Sequence, residues 1–352
     1  MKRLPLTDAR IKLLLLSLMH LATDALCAFL VFSKLYPENP KLSFTVFVSY
    51  NLLAFVAQSP LGILLDKYGD PPLLFGVSTA AMACGYLCHR WCLVAVLFIG
   101  LSNALFHVAG GKYVTDKSGN NVAHLGIFVS TGAIGLALGQ RFSAFGGFTY
   151  LFFGILVGCA LIMIFSKDPQ TKAYTEEYRG KGNGVLLAFL AVIAVVFVRS
   201  FVGKVVTADF ELTQLLFLLI AIATALGKAV GGILTRLLGA VPTAIASMCV
   251  AAACLTLGCA HPYIYILGVF AFNFSMPITL CYANVLWKGQ EGFAFGTLAA
   301  ILVPGYLLAM LFEELAWGKP LAGVLCFLSA ILIVTVSMRI QNADRTAFDA
   351  RD

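Results

Sequence analysis

Charged residues are scarce in this sequence. Only 12% of its 352 residues are Asp, Glu, Lys or Arg, whereas 60% are hydrophobic and the mean hydropathy is +0.92. A soluble domain carries about 25% charged residues, so the composition excludes a soluble globular protein. A bilayer-spanning helix needs about 20 apolar residues, which leaves room for roughly twelve spans. We therefore expect an all-α, polytopic membrane protein with no appended soluble domain.

Enzyme motifs are also missing. The sequence contains no H-E-x-x-H and no G-x-S-x-G pattern, which argues against an integral membrane enzyme, and a sensor would need a soluble output domain. The ten cysteines lie almost entirely in apolar runs, where each acts as a small hydrophobe. Cys84, Cys88, His89 and Cys92 come nearest to a metal-binding pattern, but we interpret them as a chance run. No metal and no cofactor are expected.

Twelve apolar runs are bounded by charged residues or by Gly and Pro. They predict helices near residues 11–33, 43–65, 72–88, 91–111, 122–139, 148–165, 185–202, 212–235, 241–259, 263–286, 293–312 and 321–338. The first run is too long for a signal peptide and is interpreted as a retained helix. The only long hydrophilic stretch predicts a linker at 167–184 between two six-helix bundles, 1–166 and 185–352.

The basic residues are distributed unevenly between the two sides of this predicted topology. Sixteen of the 24 Lys and Arg residues fall on the side of the N-terminus and six on the other, while Arg199 and Lys228 lie inside spans. The net charge of +7 therefore reflects topology, and nucleic acid is not an expected partner. By the positive-inside rule, both termini are expected in the cytoplasm of a multi-pass protein of the inner membrane.

The sequence repeats itself at an offset of 170 residues. Residues 62–69 and 232–239 share an initial Gly-Ile-Leu and a final Gly, and the same offset pairs Pro72 with Pro242 and Asn103 with Asn273. Duplication of a six-helix unit relates the two halves by an axis along the membrane normal, as in carriers that bind substrate between their halves. We therefore expect alternating access by rocking of two bundles.

The segment Gly62-Ile63-Leu64-Leu65-Asp66-Lys67-Tyr68-Gly69-Asp70 resembles the G-x-L-x-D-[RK]-x-G-[RK] signature of the major facilitator superfamily, and the resemblance covers essentially the whole chain. It departs from the signature at Asp70, where a basic residue is usual. The resemblance implies a gate between the second and eleventh helices, in which Asp66 faces a helix N-terminus. The gating residues are predicted to be Gly62, Asp66, Lys67, Gly69 and Arg236.

Shorter matches are similar to the fosmidomycin-resistance type of exporter within that superfamily. They are His20 and Asp24, Asn103 to His107, Arg199 to Gly203, and Gly227 to Ala229 with Gly231 and Gly232. Val108 and Ala109 depart from that family's pattern, which continues after the histidine with a proline and an acidic residue. This resemblance implies proton-coupled export of a small, anionic or amphiphilic molecule.

Ionisable residues within the spans are the candidate transport residues, because a charge at mid-bilayer costs about 2.5–3.5 kcal/mol on insertion scales. Asp24 is the predicted protonation site, His20 and His107 modulate it, and Arg199 attracts a substrate anion or serves as its counter-ion. Structural roles stay open for Asp24, Asn103 and His107, and Lys228 either snorkels or functions as a secondary candidate. The predicted substrate-binding residues are Asn51, Asn103, Arg199 and Asn273.

Three classes of function remain open from the sequence. An exporter by proton antiport comes first, a proton-coupled importer of a small metabolite second, and a non-transporting membrane enzyme or sensor third. The expected partners are lipid and a small-molecule substrate, the expected oligomeric state is a monomer, and the proton gradient supplies the energy. Substrate, direction and the choice between proton and sodium are left open.

Overall fold

The computed structural model describes residues 9–69, 71–141, 146–166, 183–312 and 318–349, and nearly all of them are helical. Eleven of the helices are long and apolar enough to cross a membrane, and a twelfth, of 17 residues, is apolar but shorter. The predicted twelve-helix, all-α membrane fold is thereby confirmed. The helices are α1 (Ala9–Glu38), α2 (Pro40–Tyr68), α3 (Pro71–Leu87), α4 (Cys92–Ser118), α5 (Val122–Arg141), α6 (Phe148–Phe165), α7 (Asn183–Val205), α8 (Gln214–Leu238), α9 (Ala240–Leu257), α10 (Pro262–Leu286), α11 (Glu291–Met310) and α12 (Gly318–Asp349).

Most of the linker predicted at 167–184 lies outside the described residues. Its last two residues belong to α7, which begins at Asn183. The division of the chain into 1–166 and 185–352 stays a prediction.

Prolines interrupt three of the helices. A proline cannot donate to the carbonyl four residues earlier, and its ring collides with that carbonyl. Pro277 accordingly coincides with a break in α10 at Asn273, and Pro304 with a break in α11 at Ile301. In α2, a π-helical turn at Leu52–Val56 precedes Pro60. These three irregular places lie in the middle of the membrane-spanning segments.

Glycines bring α2 and α11 into backbone contact. A Cβ atom added to Gly62 would collide with the backbone of Gly292, and one added to Gly296 would collide with the carbonyl group of Gln58. The close approach predicted for these two helices is therefore present.

The contact between α8 and α5 repeats this arrangement. A Cβ on Gly232 would lie 2.6 Å from the carbonyl oxygen of Val122, and a Cβ on Gly126 would lie 2.6 Å from that of Lys228. The repeat offset of 170 residues relates the two sets of contacts. The contact of Gly62 with Gly292 corresponds to that of Gly232 with Val122, and the contact of Gln58 with Gly296 corresponds to that of Lys228 with Gly126. The duplicated unit is thus visible in the packing, and small residues at both seams let the halves meet closely.

The two halves are also joined by polar contacts at one face of the membrane. We call it the basic face, because the connections that follow α2, α4, α8 and α10 lie there with Lys67, Lys117, Arg236 and Lys288. The Asn120 amide donates to the carbonyl oxygen of Cys281 at 3.0 Å, and Asn284 donates to Thr115 at 3.0 Å. Near the opposite face, Phe47 packs against Tyr306.

The seam between α5 and α8 gives a first prediction. We expect Gly126→Ala to lower the melting temperature of the purified protein by several degrees, because the added methyl group meets a backbone carbonyl that cannot rotate away. The matched control is Gly154→Ala on α6, where a Cβ has no atom within 4 Å. Thermal unfolding in detergent measures both variants. Equal melting temperatures would show that the two halves do not need this contact.

Candidate functional site

Glycines on α5 place two ionisable residues of α1 inside the protein. A Cβ on Gly135 would collide with the carbonyl oxygen of Leu21, so α1 and α5 touch along their backbones. One turn earlier, Gly132 leaves the space that the side chains of His20 and Asp24 fill. His20 is buried, and Asp24 keeps 18% of its side chain exposed. The pair therefore lies at the edge of the space between the halves, which we call the chamber.

His20, Asp24, Asn103 and His107 form a central cluster. The Nε2 atoms of the two imidazoles are 2.9 Å apart. Asp24 lies beside both of them, at 3.4 Å from His20 and 3.5 Å from His107, and its Oδ1 accepts from the amide of Asn103 at 3.2 Å. The structure thus brings together all three residues predicted for proton coupling and one predicted for substrate binding.

Hydrogen bonds to the backbone restrict the proton positions in this cluster. His20 Nδ1 lies 2.8 Å from the carbonyl oxygen of Phe128, and His107 Nδ1 lies 2.8 Å from that of Asn103. Because a carbonyl oxygen only accepts, each Nδ1 must carry a hydrogen. In two neutral rings the Nε2 lone pairs would then face each other beside a carboxylate. One additional proton between the rings removes this repulsion.

A metal ion is the other cation that these ligands can hold. His20, Asp24 and His107 each offer one ligand atom, and these atoms lie within 4.8 Å of one another. Metal-binding histidines also donate their second ring nitrogen to a backbone carbonyl, as both rings do here. The sequence predicts no metal, and one proton is sufficient to satisfy both rings. A titration with and without a chelator therefore distinguishes a proton from a metal ion at this cluster.

Two cations of the C-terminal half face the same chamber. Arg199 on α7 donates to the hydroxyl group of Thr279 at 3.4 Å. Lys228 on α8 is half-buried and close enough to interact electrostatically with both Arg199 and Asp24. Among the described residues, neither cation forms an ion pair within 4 Å. The direct pairing of Arg199 with Asp24 considered from the sequence is not formed in this structure.

The two remaining predicted substrate-binding residues bond to their own helices. Asn273 donates its amide hydrogen to Val269 at 2.8 Å, at the break in α10, and Asn51 donates to Phe47 at 2.7 Å, just before the π turn in α2. Asn51 also lines a cavity of about 180 Å³ between α2, α7 and α11. The other lining residues are Phe47, Val48, Leu52, Phe55, Ser200, Leu302, Val303, Tyr306 and Leu307.

Asp66 of the predicted gating motif caps the N-terminus of α11. Its Oδ1 accepts from the backbone N–H of Gly292 at 2.9 Å, and its Oδ2 accepts from that of Phe293 at 2.8 Å. These N–H groups have no partner inside their own helix, and a negative charge at a helix N-terminus is favourable. Asp66 therefore ties the two halves together at the basic face.

Gly62 belongs to this contact through its close approach to Gly292, whereas the other three predicted gating residues lie outside it. Lys67 stacks over the ring of Tyr68 at 4.7 Å, and Gly69 ends α2 by donating to the carbonyl oxygen of Leu65. Arg236 is exposed at the end of α8. Asp70, where the sequence departs from the signature, lies outside the described residues.

Lys112 on α4 completes the contact and was missed by the sequence analysis. Its ammonium group lies 3.0 Å from Asp66, 3.5 Å from Asp116 and 3.5 Å from Glu291. We call these four residues the closing cluster. All four side chains are at most 11% exposed. The available signal was weak: the sequence placed Lys112 on the basic side only as one of sixteen topological charges.

Several solved transporters have the same fold as this chain. The E. coli fucose:proton symporter matches with a TM-score of 0.67 at 14% identity, over 94% of this chain and 99% of that chain. The human organic anion transporter MFSD10 matches with a TM-score of 0.65 at 13% identity, over 94% and 98% of the two chains. A bacterial homologue of the iron transporter ferroportin, in an outward-facing state, matches with a TM-score of 0.58 at 12% identity, over 95% and 99%.

Sequence comparison adds no relative. No protein-family model matches the chain, and no curated protein matches it in sequence. At such low identities the structural likenesses show the fold alone, which is that of the major facilitator transporters.

The closing cluster gives a second prediction. Asp66→Asn keeps the size of the side chain but removes its charge and one of its two acceptor oxygens, so we expect the basic face to open. The thiol of Cys281 reports this, because it lies where Asn120 crosses between the halves. Labelling of Cys281 by a maleimide, followed by mass spectrometry, should be several-fold faster. Lys67→Gln is the control and should label as the unaltered protein does; equal rates in all three would remove Asp66 from the gate.

Proposed function

We propose that this protein is a proton-coupled secondary transporter of a small anion that works by alternating access of its two halves. One observation carries the proposal: charge is divided across the chamber. The N-terminal half contributes a carboxylate with two imidazoles, and the C-terminal half contributes two cations that form no ion pair within 4 Å among the described residues. The fold of known transporters supports the general activity.

The two cations of the C-terminal half, Arg199 and Lys228, indicate that the substrate is an anion. Burying a positive charge away from water costs several kcal/mol unless a partner or a wet cavity compensates it. Arg199 has a neutral hydroxyl group as its hydrogen-bond partner, and Lys228 is repelled by Arg199 while Asp24 attracts it only from beyond ion-pair distance. A negatively charged substrate in the chamber supplies the missing partner. The anionic or amphiphilic substrate implied by the sequence resemblance is compatible with this proposal.

The central cluster indicates where the coupled proton binds. With both Nδ1 atoms donating to the backbone, the cluster carries one negative charge when the two rings are neutral and none when one ring holds an extra proton. The proton therefore has a defined place between His20 and His107. Loading the cluster changes the charge of the chamber by one unit.

These charges predict the sign of the coupling. When the two imidazoles hold no extra proton, the negative charge of Asp24 is not compensated within the cluster, so it attracts Lys228 and competes with the substrate anion for that cation. Protonation of the cluster removes that competition, and proton and anion then bind cooperatively. We therefore propose cotransport, which favours the uptake alternative when the proton gradient points inward. Export in exchange for protons would require competition between proton and substrate, which this charge arrangement opposes.

We place the basic face in the cytoplasm, with both termini on that side of the inner membrane, because basic residues concentrate there. On this assignment the closing cluster holds the two halves together on the cytoplasmic side. We propose a monomer, since each chain contains both halves of the site.

Binding of a permanently charged anion tests the coupling. For an alkyl sulfonate, whose own charge does not change between pH 5.5 and 8.5, we expect the affinity to rise at least fivefold as the pH falls. At pH 8.5, Asp24→Asn should bind about as tightly as the unaltered protein does at pH 5.5, because its neutral side chain no longer competes for Lys228. His89→Gln, outside the chamber at the end of α3, should keep the unaltered pH dependence. Isothermal titration in nanodiscs measures all three proteins.

The same titration separates proton from metal. Repeating it with EDTA should leave the pH dependence unchanged if the cluster holds a proton. Loss of the pH dependence in EDTA would assign the cluster to a metal ion instead. An affinity that falls as the pH falls would contradict cotransport and restore exchange.

Lys228→Gln tests the anion. We expect at least a tenfold loss of sulfonate affinity together with a higher melting temperature of the empty protein, because the substitution removes a buried cation that repels Arg199. A lysine with a purely structural role would instead lower the melting temperature when replaced. Lys67→Gln is the control for both measurements.

A further inference from the structure

The lining of the cavity between α2, α7 and α11 contains no charged residue and adjoins Arg199 along α7. Its lining includes Ser200, the residue after Arg199 on α7, and Asn51, just before the π turn in α2. Two helix irregularities border it: that π turn, and the break in α11 at Ile301 that precedes Leu302 and Val303. Since each irregularity displaces backbone from a regular helical path, the cavity is built into the fold at prolines.

The lining offers little to a polar ligand. Ser200 donates its hydroxyl hydrogen to the carbonyl oxygen of Leu302 at 2.6 Å, and Asn51 donates to Phe47 at 2.7 Å. The remaining lining residues are aliphatic or aromatic. A sugar or another ligand with many hydroxyl groups would leave its hydrogen bonds unmade there, at a cost of about 1–3 kcal/mol for each buried group.

We propose that this cavity takes the apolar part of the substrate, so that the transported molecule is an amphiphilic organic anion. This inference rests on the proposed function, because the anionic end is placed at Arg199 and Lys228. The cavity of about 180 Å³ is comparable with the roughly 150 Å³ apolar cavity that accommodates benzene. One ring or an alkyl chain of about six to eight carbons fits that space.

The cavity walls come from both halves of the protein. Phe47, Leu52 and Phe55 belong to α2, whereas the facing residues belong to α7 and α11. An alkyl group in the cavity therefore touches both halves at once, and rocking of one half against the other changes its surroundings. The apolar part of the substrate thus contributes to the difference in affinity between the two states, which is what moves a two-state equilibrium.

A series of linear alkyl sulfonates from one to ten carbons tests the assignment. Each methylene group that leaves water should increase the affinity about fourfold, until the cavity is filled at about six to eight carbons. The measurement is isothermal titration of the full chain in nanodiscs at pH 5.5, below the critical micelle concentration of each sulfonate. Affinity that does not depend on chain length would overturn the proposal.

Two cavity variants locate the alkyl chain. Val303→Phe should bring the plateau to shorter chains, and Leu307→Ala should move it to longer ones, because both residues line the cavity. Leu308→Phe is the matched control, since Leu308 is exposed on the same helix and lies outside the lining. If the plateau stays at the same chain length in both cavity variants, the chains bind elsewhere on the protein surface and the assignment fails.

Two further arms separate this inference from the proposed function. Alkylammonium ions that bind as tightly as sulfonates of equal length would refute an anionic substrate while leaving the apolar cavity in place. Methanesulfonate binding that increases at low pH without any chain-length dependence would support the transporter and refute the cavity. The two proposals therefore fail by different results.

Discussion

The contact of two imidazoles and one carboxylate within the membrane is the constraint on which this site depends. His20 and His107 direct their Nε2 atoms at each other because each Nδ1 atom is held by a backbone carbonyl, one on α5 and one on α4. Without a hydrogen between the two Nε2 atoms their lone pairs would face each other, so the arrangement needs a cation. The glycine contacts between α1 and α5 leave the rings little space in which to turn away. Packing thus imposes the chemistry of the cluster.

Duplication of a six-helix unit explains the symmetric glycine contacts between the halves. Later divergence of the two halves explains the asymmetric polar residues of the site. The offset of 170 equates Gln58, whose amide bonds within α2, with Lys228, the half-buried cation of α8. It also equates His107 with Pro277, so one half places a titratable ring where the other half breaks a helix. The glycine contacts kept their symmetry, because each half must still pack against the other. Polar positions such as Gln58 and Lys228 no longer match between the halves, and charge became divided across the chamber.

Much of the fold could be predicted from the sequence because its causes are local. Runs of apolar residues determine the twelve helices, and the resemblance of residues 62–70 to a family signature anticipated the contact of α2 with α11. Spacing also placed His20 with Asp24 and Asn103 with His107, each pair on one helix face. The joining of those pairs depends on the contact of α1 with α4, and Lys112 meets Glu291 over a separation of 179 residues. Contacts of that kind leave no periodicity in a single sequence, and neither do hydrogen bonds that select a tautomer.

One helix belongs to both clusters. α4 runs from Cys92 to Ser118 without a break, and it carries His107 in the central cluster and Lys112 in the closing cluster. Five residues of a helix span about 7.5 Å, and an uninterrupted helix transmits an axial shift along its whole length. In the proposed mechanism, a displacement of His107 on proton loading would move Lys112 relative to Asp66 and Glu291, because His107 and Lys112 share one unbroken helix. The unbroken α4 stands in contrast to α10, its equivalent in the other half, where Pro277 would absorb such a shift.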